Sequence, residues 1–131
     1  MEEMQKTKTF KELAMWQKAH SFVLDVYKVT EHFPKHELFG LTSQFRRAAI
    51  SIPANEAEGY KRKGKPEKLR FFNIAQASLE ESRYYILLSK DLNYISTEEE
   101  QSLTFNIEEA SKSLNSYCYK IETDIHTLPL K

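Results

Sequence analysis

From Leu13 onward the core-forming residues keep a regular cadence. Leu13, Trp16, His20, Val23, Tyr27 and Thr30 recur at alternating steps of three and four, the seam of an amphipathic helix. A second seam runs beside it through Met15, Ala19, Phe22, Val26, Val29 and Phe33. Together they make a stripe wider than one helix of a lone bundle needs. The surplus fits either a thick core or contact with a second subunit. The cadence returns near the C-terminus in Leu103, Ile107, Ala110, Leu114, Tyr117, Ile121 and Ile125. Three glycines and four prolines in 131 residues are too few turn residues for a β-sandwich or barrel. The fold class is therefore all-α.

The remaining punctuation divides the chain into four helices. Thr9 and Glu12 have capping-box spacing at the start of the first, and Pro34 stops it. The second carries a seam of Leu38, Leu41, Phe45, Ala48 and Ile52, with small residues for close helix approach. Pro53 lies inside it, removes the donor for the carbonyl of Ala49 and predicts a kink. Ser51 and Asn55 flank that point and can bond the freed groups. Tyr60 to Pro66 reads as a loop, with Gly64 as a left-handed C-terminal cap and Pro66 opening the third helix. That helix carries Leu69, Phe71, Phe72, Ile74, Ala75, Leu79, Tyr85, Ile86 and Leu88, and is apolar on more than one side. Asn93 can end it in a left-handed conformation. Ser96–Glu99 and Thr97–Glu100 are overlapping capping boxes for the fourth helix, and Pro129 falls in a tail. The expected helices cover about 10–33, 38–62, 66–92 and 97–126 of a single domain, 1–131. Short connections make neighbours antiparallel, giving an up-down-up-down four-helix bundle with its second helix kinked at Pro53.

Composition excludes more function than it assigns. Cys118 is the only cysteine, so no intramolecular disulfide forms. The polar N-terminus lacks a signal-peptide layout and no run reaches the roughly 18 apolar residues of a membrane span, so a cytoplasmic location and no membrane partner are expected. No acidic residue stands three before any histidine, which removes the Glu-x-x-His pattern of di-iron bundles. Pro34 breaks the register between His32 and His36 that a zinc pair would use. His20 reads as a core or interface histidine, and Cys118 as a small buried hydrophobe. Glu58 and Arg62, four apart, can pair locally. No nucleophile, base and orienting group form a constellation. The expectation is a protein that is not an enzyme and has no cofactor and no metal.

Charge is the feature with chemistry in it. The formal net charge is zero, yet residues 35–70 hold nine Lys/Arg against four Asp/Glu, while residues 97–125 hold two against seven. Arg46, Arg47, Lys61, Arg62, Lys63, Lys65, Lys68 and Arg70 are the candidate nucleic-acid contacts, with Tyr60 beside them. The alternative is a solvated loop, with the arginines paired to neighbouring helices or to a second subunit.

The segment from Phe39 to Gly59, and above all Gln44 to Gly59, resembles a family of bacterial four-helix bundles. These proteins are encoded by intervening sequences of 23S ribosomal RNA genes and are sometimes called S23 ribosomal proteins. Trp16 to Ala19, Val26–Tyr27, Thr30, Phe33–Pro34, Arg70 to Ala75, Ser78 to Glu81 and Leu92 to Ile95 also resemble it, so the likeness spans roughly Phe10 to Ile121. The sequence departs at Glu56, where the family usually has an apolar residue, and at Ala77 and Asn93, where it often has glycine. The resemblance implies a homopentameric ring with a central channel. It also implies a link to RNA or DNA, as in accessory factors of diversity-generating retroelements, and no accepted enzymatic activity. Gln44, Arg46, Arg47, Asn55, Glu58 and Gly59 match the family motif. With Pro53 they read first as structural residues, an Arg–Glu pair across an interface fixing subunit geometry, and second as phosphate contacts. Two functions follow: a nucleic-acid-binding accessory factor, or a scaffold ring that holds a protein partner.

Overall fold

The computed structural model describes residues 7–124, which form four α-helices and no strand. These are α1 (Ala14–Thr30), α2 (Leu41–Lys61), α3 (Lys65–Asp91) and α4 (Thr97–Thr123). Each helix packs chiefly on its two sequence neighbours, and α4 closes the ring against α1. Ile125, the expected end of the fourth helix at 126 and Pro129 lie outside the described residues.

The two seams of α1 separate cleanly. Met15, Ala19, Phe22, Val26, Val29 and Phe33 are all buried and meet Phe45, Ile52, Phe72, Leu79, Leu103, Ile107 and Leu114 in one core. The other seam lies at the α1–α2 edge. Its Leu13, Val23 and Thr30 are buried, whereas Trp16 is half-buried and Tyr27 is exposed. His20 is exposed too, and its ring stacks on Trp16 at 4.9 Å rather than entering the core.

Several ends differ from expectation, each for a local reason. Phe10–Glu12 form a 3-10 turn, and Leu13 is extended before α1 begins. The Thr9 box is displaced by one: Thr9 Oγ1 accepts from the Lys11 amide at 2.8 Å, and Glu12 accepts from the Lys8 amide at 3.2 Å. The Phe10 ring meets Trp16 edge-on at 5.1 Å, a contact that favours the bent entry. Lys35–Glu37 form a second 3-10 turn, so α2 starts at Leu41 rather than 38. There Glu37 Oε1 accepts the Leu41 amide at 2.9 Å. Gly64 is not left-handed but extended, and it sits at the N-terminal boundary of α3. The Lys68 ammonium explains why: it donates to the carbonyls of Gly59 (3.3 Å) and Tyr60 (2.8 Å), which a left-handed glycine cap would otherwise help to satisfy.

Other punctuation holds. Asn93 has φ 64°, the left-handed stop for α3. Ser96 and Glu99 make a reciprocal capping box. The α-helix is assigned without a break across the buried Pro53. Asn55 Nδ2 donates to the Ser51 carbonyl at 2.8 Å and the Ser51 hydroxyl at 3.0 Å, not to the carbonyl of Ala49.

Candidate nucleic-acid interface

The up-down order puts the two odd connections at one end of the bundle and the α2–α3 loop at the other. At the first end Tyr94 donates to Glu37 Oε2 at 2.9 Å, tying the α3–α4 connection to the α1–α2 connection. At the second, the Tyr60 hydroxyl donates to the Thr7 carbonyl at 2.9 Å, and Lys65 Nζ donates to the Glu122 carbonyl at 3.3 Å. Residues 60–66 hold four cations and no acid.

The eight candidate cations do not form one site. Arg46 and Arg47 lie about fifteen residues before Lys61, about 22 Å along the helix axis. Arg46 turns towards α1: its Nε donates to Thr30 Oγ1 at 2.8 Å and its guanidinium lies 4.5 Å over the Tyr27 ring. Arg47 donates to Gln44 Oε1 at 3.1 Å and pairs with Glu81, which also accepts from Tyr85. The other six gather at the loop end. Arg62 pairs with Glu58 at 3.1 Å and Arg70 with Glu67 at 3.5 Å, and the two guanidiniums lie 4.6 and 4.8 Å from the Phe71 ring. Lys68 is tied to the α2 carbonyls, and partial burial lowers its pKa from the usual lysine value. Lys61 and Lys63 are exposed and have no charged partner among the described residues. The cations open to a polyanion are thus Lys61, Lys63 and Lys65, with Arg62 and Arg70 behind them in neutralised pairs.

Two matched motif positions have packing roles. Gly59 is buried, and a Cβ there would stand 2.5 Å from the Phe72 ring. Asn55 joins Ser51, whose hydroxyl accepts from Ser78 at 2.8 Å, so the pair links α2 to α3. The residue that sequence reasoning left unassigned is Glu56. It is fully buried, neither carboxylate oxygen has a hydrogen-bond partner, and burial pushes its pKa up to about 9. It therefore stands in the core as a neutral acid at pH 7, where apolar residues are usual. Its apolar neighbours in the helical pattern, Ile52 and Gly59, are the only local signal. Cys118 is buried as expected, and burial foremost raises its thiol pKa to about 11. No cluster of three or more His, Cys, Asp or Glu among the described residues could hold a metal ion. No described helix is long and apolar enough to cross a membrane.

The fold recurs in a crystal structure from Bacteroides thetaiotaomicron VPI-5482, a protein of unknown function from the S23 ribosomal protein family. It shares 24% identity with a TM-score of 0.72, covering 80% of this chain and 98% of that one. At that identity the likeness speaks for the fold alone. No curated protein matches the chain. Residues 11–116, which contain all four helix cores and the whole basic loop, match the family of 23S rRNA-intervening sequence proteins. The match takes in every position of the Gln44–Gly59 motif, and the chain belongs to the 23S rRNA-intervening sequence protein family.

Proposed function

We propose that this protein is a non-catalytic, self-associating cytoplasmic bundle that binds RNA or DNA through its basic end, as an accessory factor. The observation that carries this reading is the loop itself: Lys61, Lys63 and Lys65 lie at one end of a neutral chain, with no acid between residues 60 and 66. Clustered, exposed cations of this kind release counterions when they meet phosphates, which makes binding steeply salt-dependent. In an oligomer the loops of several copies would add up, so a weak single contact becomes a strong multivalent one. The test is fluorescence anisotropy of a labelled RNA across a salt series. Binding that weakens linearly with log salt, and collapses in a Lys61→Glu/Lys63→Glu/Lys65→Glu variant, supports the reading. No binding at low salt removes it.

A second reading, a scaffold ring for a protein partner, draws on a different observation. Trp16, His20, Ile50, Pro53 and Ala54 border an apolar groove of about 260 Å³ between α1 and α2. This is the surplus face of the first seam, and it is the surface we assign to self-association, pentameric by family resemblance. Light scattering of the purified protein separates the cases. A monomer at micromolar concentration counts against the ring in both readings.

A further inference from the structure

The α4 helix is acidic overall, yet its two described lysines, Lys112 and Lys120, lie eight residues apart on one face. Both border a cleft of about 380 Å³ between α1 and α4, and Lys18 of α1 faces them across it. No acidic residue lines this cleft; Ser113, Ser116 and Tyr117 supply the polar remainder. One carboxylate, Glu109, sits outside the lining and is shared by Lys18 at 3.5 Å and Lys112 at 3.4 Å. Two ammonium groups on a single acid leave an excess of positive charge.

This cleft is continuous with the basic end. Lys65 of the loop reaches the Glu122 carbonyl in the last turn of α4, and Lys120 lies within that turn. From Lys120 the cations run about 12 Å along α4 to Lys112, at the helical rise per residue. Tyr119, 68% exposed, stands beside Lys120 and borders an adjoining cleft with Asn115 and Thr123. An exposed aromatic ring among lysines matches the way single strands are held: cations track phosphates while the ring stacks on unpaired bases. A duplex keeps its base faces stacked inside and offers Tyr119 nothing to stack on.

We infer that the α1–α4 cleft, through Lys18, Lys112, Lys120 and Tyr119, extends the basic end into a track selective for single-stranded nucleic acid. The inference rests on the nucleic-acid reading of the loop and adds to it a path and a substrate class.

The experiment compares a labelled single strand of mixed sequence with its duplex of equal length, in the full-length protein. The variants are Tyr119→Ala, Lys112→Gln/Lys120→Gln and the triple loop reversal, each checked by circular dichroism. Tyr119→Ala should weaken single-strand binding about tenfold and leave duplex binding unchanged. Lys112→Gln/Lys120→Gln should lower the single-strand salt slope by about 1.4, at roughly 0.7 for each phosphate that the two lysines neutralise in the parent. If the loop reversal abolishes binding while both α4 variants bind as the parent does, the track is wrong and the loop reading stands. Equal losses for single strand and duplex in Tyr119→Ala overturn the single-strand selectivity. If the parent binds neither strand nor duplex, the track and the loop reading fall together. If a second copy of the chain covers the cleft, Lys112→Gln/Lys120→Gln changes the oligomeric state instead of the salt slope, and the track is likewise overturned.

Discussion

The two ends of the bundle use charge in opposite ways. At the α1–α2 and α3–α4 end, charged groups are employed on the fold. Glu37 accepts from both the Leu41 amide and the Tyr94 hydroxyl, and those bonds, the Leu41 amide foremost, hold its pKa below the usual glutamate value. Glu99 completes the capping box with Ser96, and the acids of the first turn of α4 face its positive end. At the α2–α3 end only Lys68, Lys65 and the Arg62–Glu58 pair serve the fold, and Lys61 and Lys63 point to solvent. An end whose charges are satisfied stabilises a structure. An end whose charges are left open is available to a ligand. Glu56 sharpens the contrast, because it lies within two turns of the loop but, neutral and buried, does not offset the loop's positive field.

The largest expected effect on stability comes from that acid. Its folded pKa is raised above its unfolded value, so the folded state holds the proton more tightly. Stability is then greatest below about pH 4.5 and falls as pH rises towards about 9, the folded value. Glu56→Leu should raise stability at pH 7 by about 2–3 kcal/mol and flatten the pH dependence of urea unfolding between those limits. An unchanged pH profile would mean that the carboxyl finds a partner in the protein as it exists. Next comes Gly59→Ala, which drives a methyl into the Phe72 ring. The clash outweighs the gain in helix propensity and should cost about 1–2 kcal/mol in chemical denaturation. Ser96→Ala removes one half of the capping box at the opposite end and should cost about 1 kcal/mol. Smallest is Glu37→Ala, which should lower the melting temperature modestly by untying the two connections. On this account Ser96→Ala and Glu37→Ala leave polyanion affinity untouched. If either alters it, the division of labour between the ends is wrong.

What could be read in the sequence was what neighbours in the chain decide. Ser96–Glu99, Asn93 and the Glu58–Arg62 pair need only a few consecutive residues, and each is found where the local pattern put it. So is the buried seam of α1, whose spacing alone selects a face. The rest depends on partners distant in sequence. Gly64 is extended because Lys68 already serves the α2 carbonyls. Arg46 leaves the basic cluster because Thr30 and Tyr27 of α1 stand beside it. The α4 cations, Lys112 and Lys120, were hidden by the acidity of their helix, which averages over faces that the bundle separates.

The central claim is that the open end of the bundle, and not the closed one, meets a polyanion. It is tested most directly by the salt dependence of RNA binding in the parent and in Lys61→Glu/Lys63→Glu/Lys65→Glu. The account predicts a linear fall of log affinity with log salt in the parent, and in the variant about a hundredfold weaker binding with a slope reduced by about two. A variant that binds RNA as the parent does, with the same slope, would contradict it.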